Sequence, residues 1–405
     1  MFINKVRLVT IFAAVAMVSA CGGGKSKSGD GQSAVKETHV RMAAAVYGDA
    51  LSTAEELLAA VKVLLAEPTE DHLSAARAAY KNARVPYQQS EIMRWDTAIT
   101  LEKSLDADGG PASVDDWEGQ VNAWPLDENH IVSIIESDLD ITAELLIAQN
   151  GVDDNEDNVS TGVHAVEFLL WGEDTHGIGP GAGERPAADF ALSDCADAYC
   201  ARRAEYLLAA TELLVADLRE MHAEWAGAAR STPGTLAYNF LRSDRAIDYM
   251  LGALREMAAS ELASARMSSG LTLGDPEETH DCFSDLTHLA IFYNFQGLKN
   301  VFYGRYGGVS GASLGDLVAL KDSSIYLDID RAFSAAESLM EDIYAAGERS
   351  EGSVHFDQII GQGPEGLERH TAEEAVDALL DLDKELERAQ TLLALEALPT
   401  DGSGD

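Results

Sequence analysis

The chain has 405 residues, 46% of them hydrophobic, with 69 acidic against 29 basic side chains and a formal net charge of -40. That length exceeds one small core and fits two domains or one large helical one, and the apolar content is ordinary for a globular protein. So acidic a chain is set apart from nucleic-acid binders, which need a basic surface; its charge reads as a solvated face that favours cations nearby.

Residues 1–21 read as an export segment: Lys5 and Arg7, an apolar run Leu8–Val18, then Val18-Ser19-Ala20-Cys21. The run is too short to span a bilayer. The tetrapeptide resembles the bacterial lipobox, with Cys21 as the lipidated first residue of the mature chain. Gly22, rather than Asp, behind it implies the outer membrane. The expected partner is therefore the membrane, through lipid on Cys21, on either the periplasmic or the surface face. Residues 22–33, GGGKSKSGDGQS, read as a flexible tether. In an oxidising compartment Cys195 and Cys200, close in sequence, are the expected disulfide, which leaves Cys282 as a buried thiol.

From Ala34 the apolar residues recur at three and four: Val35, His39, Met42, Val46, then Leu57, Leu58, Val61, Leu64 and Leu65. A second helix covers Asp71–Asn82, and Pro86 suits the first turn of a third. Glu91 and Arg94 share a face of that third helix beside Tyr87, Ile92, Met93 and Trp95. Two readings of Glu91 stand, a salt bridge to Arg94 or a ligand of a buried site. Trp117, Trp124 and Pro125 suggest packing, Ile131–Gln149 a further helix, and Asp153–Asn158 an acidic loop without EF-hand spacing.

Thr161–Glu173, TGVHAVEFLLWGE, is the stretch around which the rest is organised. Between Gly162 and Gly172 only His164 and Glu167 are polar, so the pattern predicts a buried helix of about ten residues. Three apart, the two side chains point the same way. One nitrogen and one carboxylate oxygen suit iron, zinc or copper as half of a coordination shell; a core His–Glu hydrogen bond is the plainer alternative.

Gly172–Asp194 is a long loop containing His176, and Cys200–Ala229 a long amphipathic helix. Ser231-Thr232-Pro233-Gly234 marks a boundary between helical regions 34–232 and 233–398, before a tail 399–405. Leu236–Met267 is one helix or two. In HDCFSDLTH, Asp281, Asp285 and His288 fall at i, i+4 and i+7 on one helical face. They are ligands, or an Asp stabilised at a helix N-terminus with His288 one turn on. Ile325–Ala346 and Glu368–Leu398 close the chain. No strand, phosphate loop, Ser-His-Asp order or paired CxxC is signalled.

GVHAVEFLLWG carries the Gly-x-His-x-x-Glu signature and resembles the imelysin-like family, which includes insulin-cleaving metallopeptidases, iron-regulated outer-membrane lipoproteins and a periplasmic iron-uptake component. ARVPYQQSEIMRW, WEGQVNAWPLDE and CFSDLTHLAIFYNFQGLKNVFYGRYGG resemble blocks of the iron-regulated branch, in the same order from Ala83 to Gly308. Leu286 departs from that pattern, which has Asn in the Phe-Ser-Asp-x-Thr-His run. The resemblance implies an all-α fold of two four-helix-bundle-like halves, an internal duplication, with the site at their interface. Gly162, His164 and Glu167 match the signature; His164, Glu167, Glu91, Asp285 and His288 are the implied metal ligands. The expected function is a metal-binding envelope lipoprotein in iron uptake or homeostasis, with iron favoured over zinc or copper and iron-uptake components as partners. The alternatives are a metal-dependent peptidase and a metal-free surface scaffold.

Overall fold

The computed structural model describes residues 28–93, 114–192, 195 and 197–397. Cys21, Arg94, Trp95 and the tail beyond 397 lie outside them.

Helix α1 spans Ser28–Ala66, so it begins inside the stretch expected to be a tether. Its 39 residues extend about 58 Å at 1.5 Å per residue. Helix α2 runs Glu70–Ser90, capped by the Thr69 side chain, and continues as a 3-10 turn Glu91–Met93. The sequence placed a break at Pro86, but the helix passes through it. A proline there forfeits one backbone hydrogen bond and crowds the carbonyl of Asn82. The buried stripe Leu73, Ala76, Tyr80, Ala83, Arg84 and Tyr87 offsets that cost by packing on α1 and on the later helix at 287–303.

Short helices follow: α3 Val114–Val121, α4 Glu128–Glu136, α5 Ala143–Gln149 and α6 Gly162–Trp171. The single helix expected over 131–149 is thus two, separated where Asp138 and Asp140 stand among turn residues. Helix α7 covers Cys200–Trp225, behind a Cys195–Cys200 disulfide with S–S 2.05 Å. Then come α8 Leu236–Arg242, α9 Ala246–Glu256, a π-helical stretch Met257–Ser268, α10 Ser269–Leu273 and α11 Thr287–Tyr303. A two-residue hairpin, β1 Arg305–Tyr306 with β2 Val309–Ser310, precedes α12 Leu314–Lys321, α13 Ser323–Gly347, α14 Phe356–Gly361 and α15 Leu367–Leu393. The all-α class holds. No helix among the described residues is long and apolar enough to cross a membrane.

The apolar side chains gather in two clusters. One joins Val35–Ala54 of α1 and the end of α7 to the inner faces of α9, α11, α13 and α15. The other joins Leu57, Val61 and Leu64 of α1 to α2, α6, Tyr206 and Leu207 of α7, and Phe283. Each cluster takes residues from both sides of position 233. Each fully buried Leu, Phe or Met in them contributes about 1.5–3 kcal/mol of transfer free energy. The long α1 serves both, and α2 and α6 lie where polar groups from 280–288 meet them.

Candidate metal centre

All ten residues of α6 are buried. The helix fits because it starts on glycine. Gly162 has φ +81°, and a Cβ there would lie 2.5 Å from the Val121 carbonyl oxygen. Any other residue would have to adopt left-handed backbone and push α3 away.

His164 and Glu167 are both 0% exposed, on one face, with Nδ1 to Oε2 at 3.2 Å. The other carboxylate oxygen of Glu167 accepts the Ser284 N–H at 2.9 Å and its hydroxyl at 2.6 Å, while the Tyr80 hydroxyl lies 3.4 Å from Oε2. Arg84, from the buried stripe of α2, donates to both oxygens of Asp281 at 3.0 Å and to Asn122 at 3.2 Å. The Trp124 ring stands edge-on to His164 with centroids 5.0 Å apart, and the His280 ring lies 5.8 Å away.

His164, Glu167 and Asp281 each offer a ligand atom within 4.8 Å of the others, and all three are buried. Burial drives both titrating groups of α6 toward neutrality. Desolvation pushes the His164 imidazole well below its usual pKa, and Arg84, His280 and Arg266 add to the push. Desolvation, then the charge of Asp281, holds the Glu167 carboxyl well above the usual carboxylate range, against the Ser284 hydrogen bonds. A neutral imidazole and a carboxyl that burial keeps protonated are the pair from which a cation can displace a proton.

The donor set fits a metal. Nε2 of His164 has no hydrogen-bond partner among the described residues. Asp281 gives two lone pairs to Arg84 and, like any carboxylate, has two more. One imidazole and two carboxylates suit iron, manganese or zinc.

The remaining predicted residues stand elsewhere. Glu91 forms a buried ion pair with Arg266 at 2.7 Å. Arg266 also pairs with Glu261 at 2.9 Å and donates to Asn294 at 2.7 Å. That network adjoins the α6 group, since the charge of Arg266 reaches His164 and that of Glu91 reaches Arg84. Glu261 and Arg266 meet because 257–268 is π-helical. With i→i+5 bonding, residues five apart lie nearly in line, which α-helical spacing does not allow.

Asp285 and His288 belong to a third group, and the expected i, i+4, i+7 face does not exist. Helix α11 begins only at Thr287, and Asp285 sits before it with φ +58°. The turn brings Asp281 to Arg84 and Asp285 to His355, whose Nδ1 lies 3.0 Å from its Oδ2. His288 meets Glu348 at 2.9 Å and stacks on His355 with centroids 5.3 Å apart. Gly347 leaves room for that ring, since a Cβ on it would fall 2.3 Å from the imidazole. His176, from the long loop, bonds Asp174 at 2.9 Å and is raised in pKa chiefly by that bond; the charge of Asp285 also reaches it.

Arg84, Ser284, His355 and Asp357 were not anticipated as site residues. Arg84 had a signal, an arginine spaced four from Tyr80 and three from Tyr87 on an otherwise apolar helix face. His355 and Asp357 had none, because they flank the start of a six-residue helix with no clear period.

The chain is similar in fold to two solved structures. One is a candidate iron-regulated protein A precursor from Parabacteroides distasonis ATCC 8503, with 18% identity, TM-score 0.66, and 92% of this chain and 97% of that one covered. The other is an imelysin-like protein from Psychrobacter arcticum 273-4, with 14% identity, TM-score 0.56, and 90% and 97% covered. No curated protein matches the sequence. The sequence profile of imelysin matches residues 43–386, an interval that contains α6 and every group described above, and the chain therefore belongs to the imelysin family.

Proposed function

We propose that this protein is a cell-envelope lipoprotein that binds a metal ion through His164, Glu167 and Asp281 and serves iron uptake or iron homeostasis. The observation that carries the reading is the buried triad itself, with donor atoms within 4.8 Å of one another and an imidazole nitrogen left without a partner. An orphaned polar atom at 0% exposure costs about 1–3 kcal/mol, and a bound cation would remove that cost.

Within the site, Ser284 orients Glu167 through two hydrogen bonds, Trp124 fixes the His164 ring, and Arg84 holds Asp281 in place. The metal when bound supplies a positive charge where burial otherwise keeps the pair neutral. The imelysin family and the name of the Parabacteroides relative support iron as that metal. The lipobox-like Val18-Ser19-Ala20-Cys21 supports the lipid anchor and the outer membrane.

Metal analysis of the purified full chain tests the proposal. The wild type is expected to retain a near-stoichiometric ion that a His164→Ala, Glu167→Ala double variant loses, with expression rising under iron starvation. Wild type that takes up no ion above background, reduced or oxidised, would sink the reading in favour of a metal-free scaffold. Cleavage of an unfolded polypeptide by the wild type but not the double variant would turn it toward a peptidase.

A further inference from the structure

Asp285, His355 and Asp357 come from three places: the turn before α11, the residue preceding α14, and the first turn of α14. Each offers a ligand atom within 4.8 Å of the others. Asp285 and Asp357 are 4% and 3% exposed, yet neither has a lysine or arginine ion partner among the described residues. Asp357 is the telling member. Neither of its oxygens has a hydrogen-bond partner of normal geometry, although the Gln358 N–H lies close by. Oδ1 of Asp285 is likewise without a partner. Two buried carboxylates side by side repel each other and lose their hydration unless something positive lies between them.

His355 is the imidazole that lies within 4.8 Å of both carboxylates. It is half-buried, so the group opens toward solvent on its side. Its Nδ1 faces Asp285, and the Gly347 carbonyl is also within its reach. If the other ring nitrogen carries a proton to that carbonyl, the Nδ1 lone pair points at a carboxylate. Such a contact calls for a second proton or a metal ion.

We propose that Asp285, His355 and Asp357 form a second cation site, taking a divalent first-row transition ion, separate from the His164 group. Two carboxylates and one imidazole are a donor set for manganese, iron or zinc and a poor one for copper(I) or for a calcium shell of six or more oxygens. The Asp281–Asp285 turn supplies one ligand to each site. Asp174, in the long loop, adds a further negative charge near Asp357.

The test is a count of Mn2+ bound to the metal-stripped full chain in excess Mg2+, read from the electron paramagnetic resonance of free Mn2+. Excess Mg2+ suppresses binding to the acidic surface. Wild type should hold two ions; His355→Gln with Asp357→Asn should hold one; His164→Gln with Glu167→Gln should also hold one. If the His355/Asp357 pair variant keeps the wild-type stoichiometry, the second site does not exist, and protons alone hold the three side chains. A wild type that binds one ion, lost only in the His164/Glu167 variant, overturns this inference and leaves the first site standing. Two ions with loss only at His355/Asp357 would do the reverse. Should the paired variant unfold, single Asp357→Asn is read instead, and a tenfold or larger weakening of one of the two ions is the expected result. No uptake of Mn2+ or Zn2+ by wild type ends both.

Discussion

Asp281 and Asp285 stand four residues apart in one turn and are both nearly excluded from water, but their surroundings are opposite. Asp281 faces the α6 cluster, where Arg84 clasps both its oxygens and the neighbouring Glu91 and Glu261 share Arg266. Asp285 faces His355 and Asp357, with no guanidinium or ammonium group against it among the described residues. The same side chain is thus compensated once by a permanent charge from the protein and once by groups that exchange protons. A permanently paired carboxylate is held in place and offers a cation only the lone pairs its partner leaves, whereas a carboxylate left to share protons can turn all of them to a cation. Asp357, which burial and the charge of Asp285 push up to about 7, belongs to the second kind.

The largest expected effect breaks the first arrangement. Arg84→Met leaves Asp281 buried without its partner and should cost about 3–5 kcal/mol in urea unfolding. Removing both charges, Arg84→Met with Asp281→Leu, should recover most of that loss. A double variant as unstable as the single one would mean that Arg84 acts mainly through its packing in the α2 stripe.

A smaller effect lies at the rim of the second arrangement. The hydrogen bond from His288, helped by Lys81, holds the Glu348 carboxyl down at about 2. Its folded pKa lies below its unfolded value, so the stabilisation is complete above about 4.5 and is lost as pH falls toward 2. Glu348 is partly exposed, so solvent screening reduces the gain to about 1 kcal/mol. Glu348→Gln should therefore lower stability by about that amount at neutral pH, with the gap closing between pH 4 and pH 2. A gap independent of pH would assign the residue a packing role instead.

The smallest effect concerns the thiol between the two regions. Desolvation, followed by the charge of Glu277, pushes Cys282 well above the usual thiol range. The native protein should not react with a thiol reagent at pH 8, and the unfolded chain should react fully at this cysteine. Rapid labelling of the native state would show that the turn carrying Asp281 and Asp285 opens readily.

Much of this was readable in the residues. The run from Gly162 to Gly172 could bury itself only as a helix, and that placed His164 and Glu167 together in the interior. Glu91 read as buried and polar, and the pairing expected with Arg94 lies outside the described residues. The partner that the described residues give it is Arg266, from a π-helical stretch that residue spacing does not announce. The helical reading of 281–288 failed because 281–285 forms a turn and the helix begins only at Thr287, so Asp281 and Asp285 meet different partners.

By itself, the sequence determined the helical class, the buried His164–Glu167 pair and the acidic surface, since periodicity and composition are local properties of the chain. Which carboxylate would be neutralised by arginine, and which would face only another carboxylate and an imidazole, was decided by tertiary structure alone. Arg84 and Asp281, like Asp285 and His355, meet only after long loops close, and no spacing along the chain encodes those meetings.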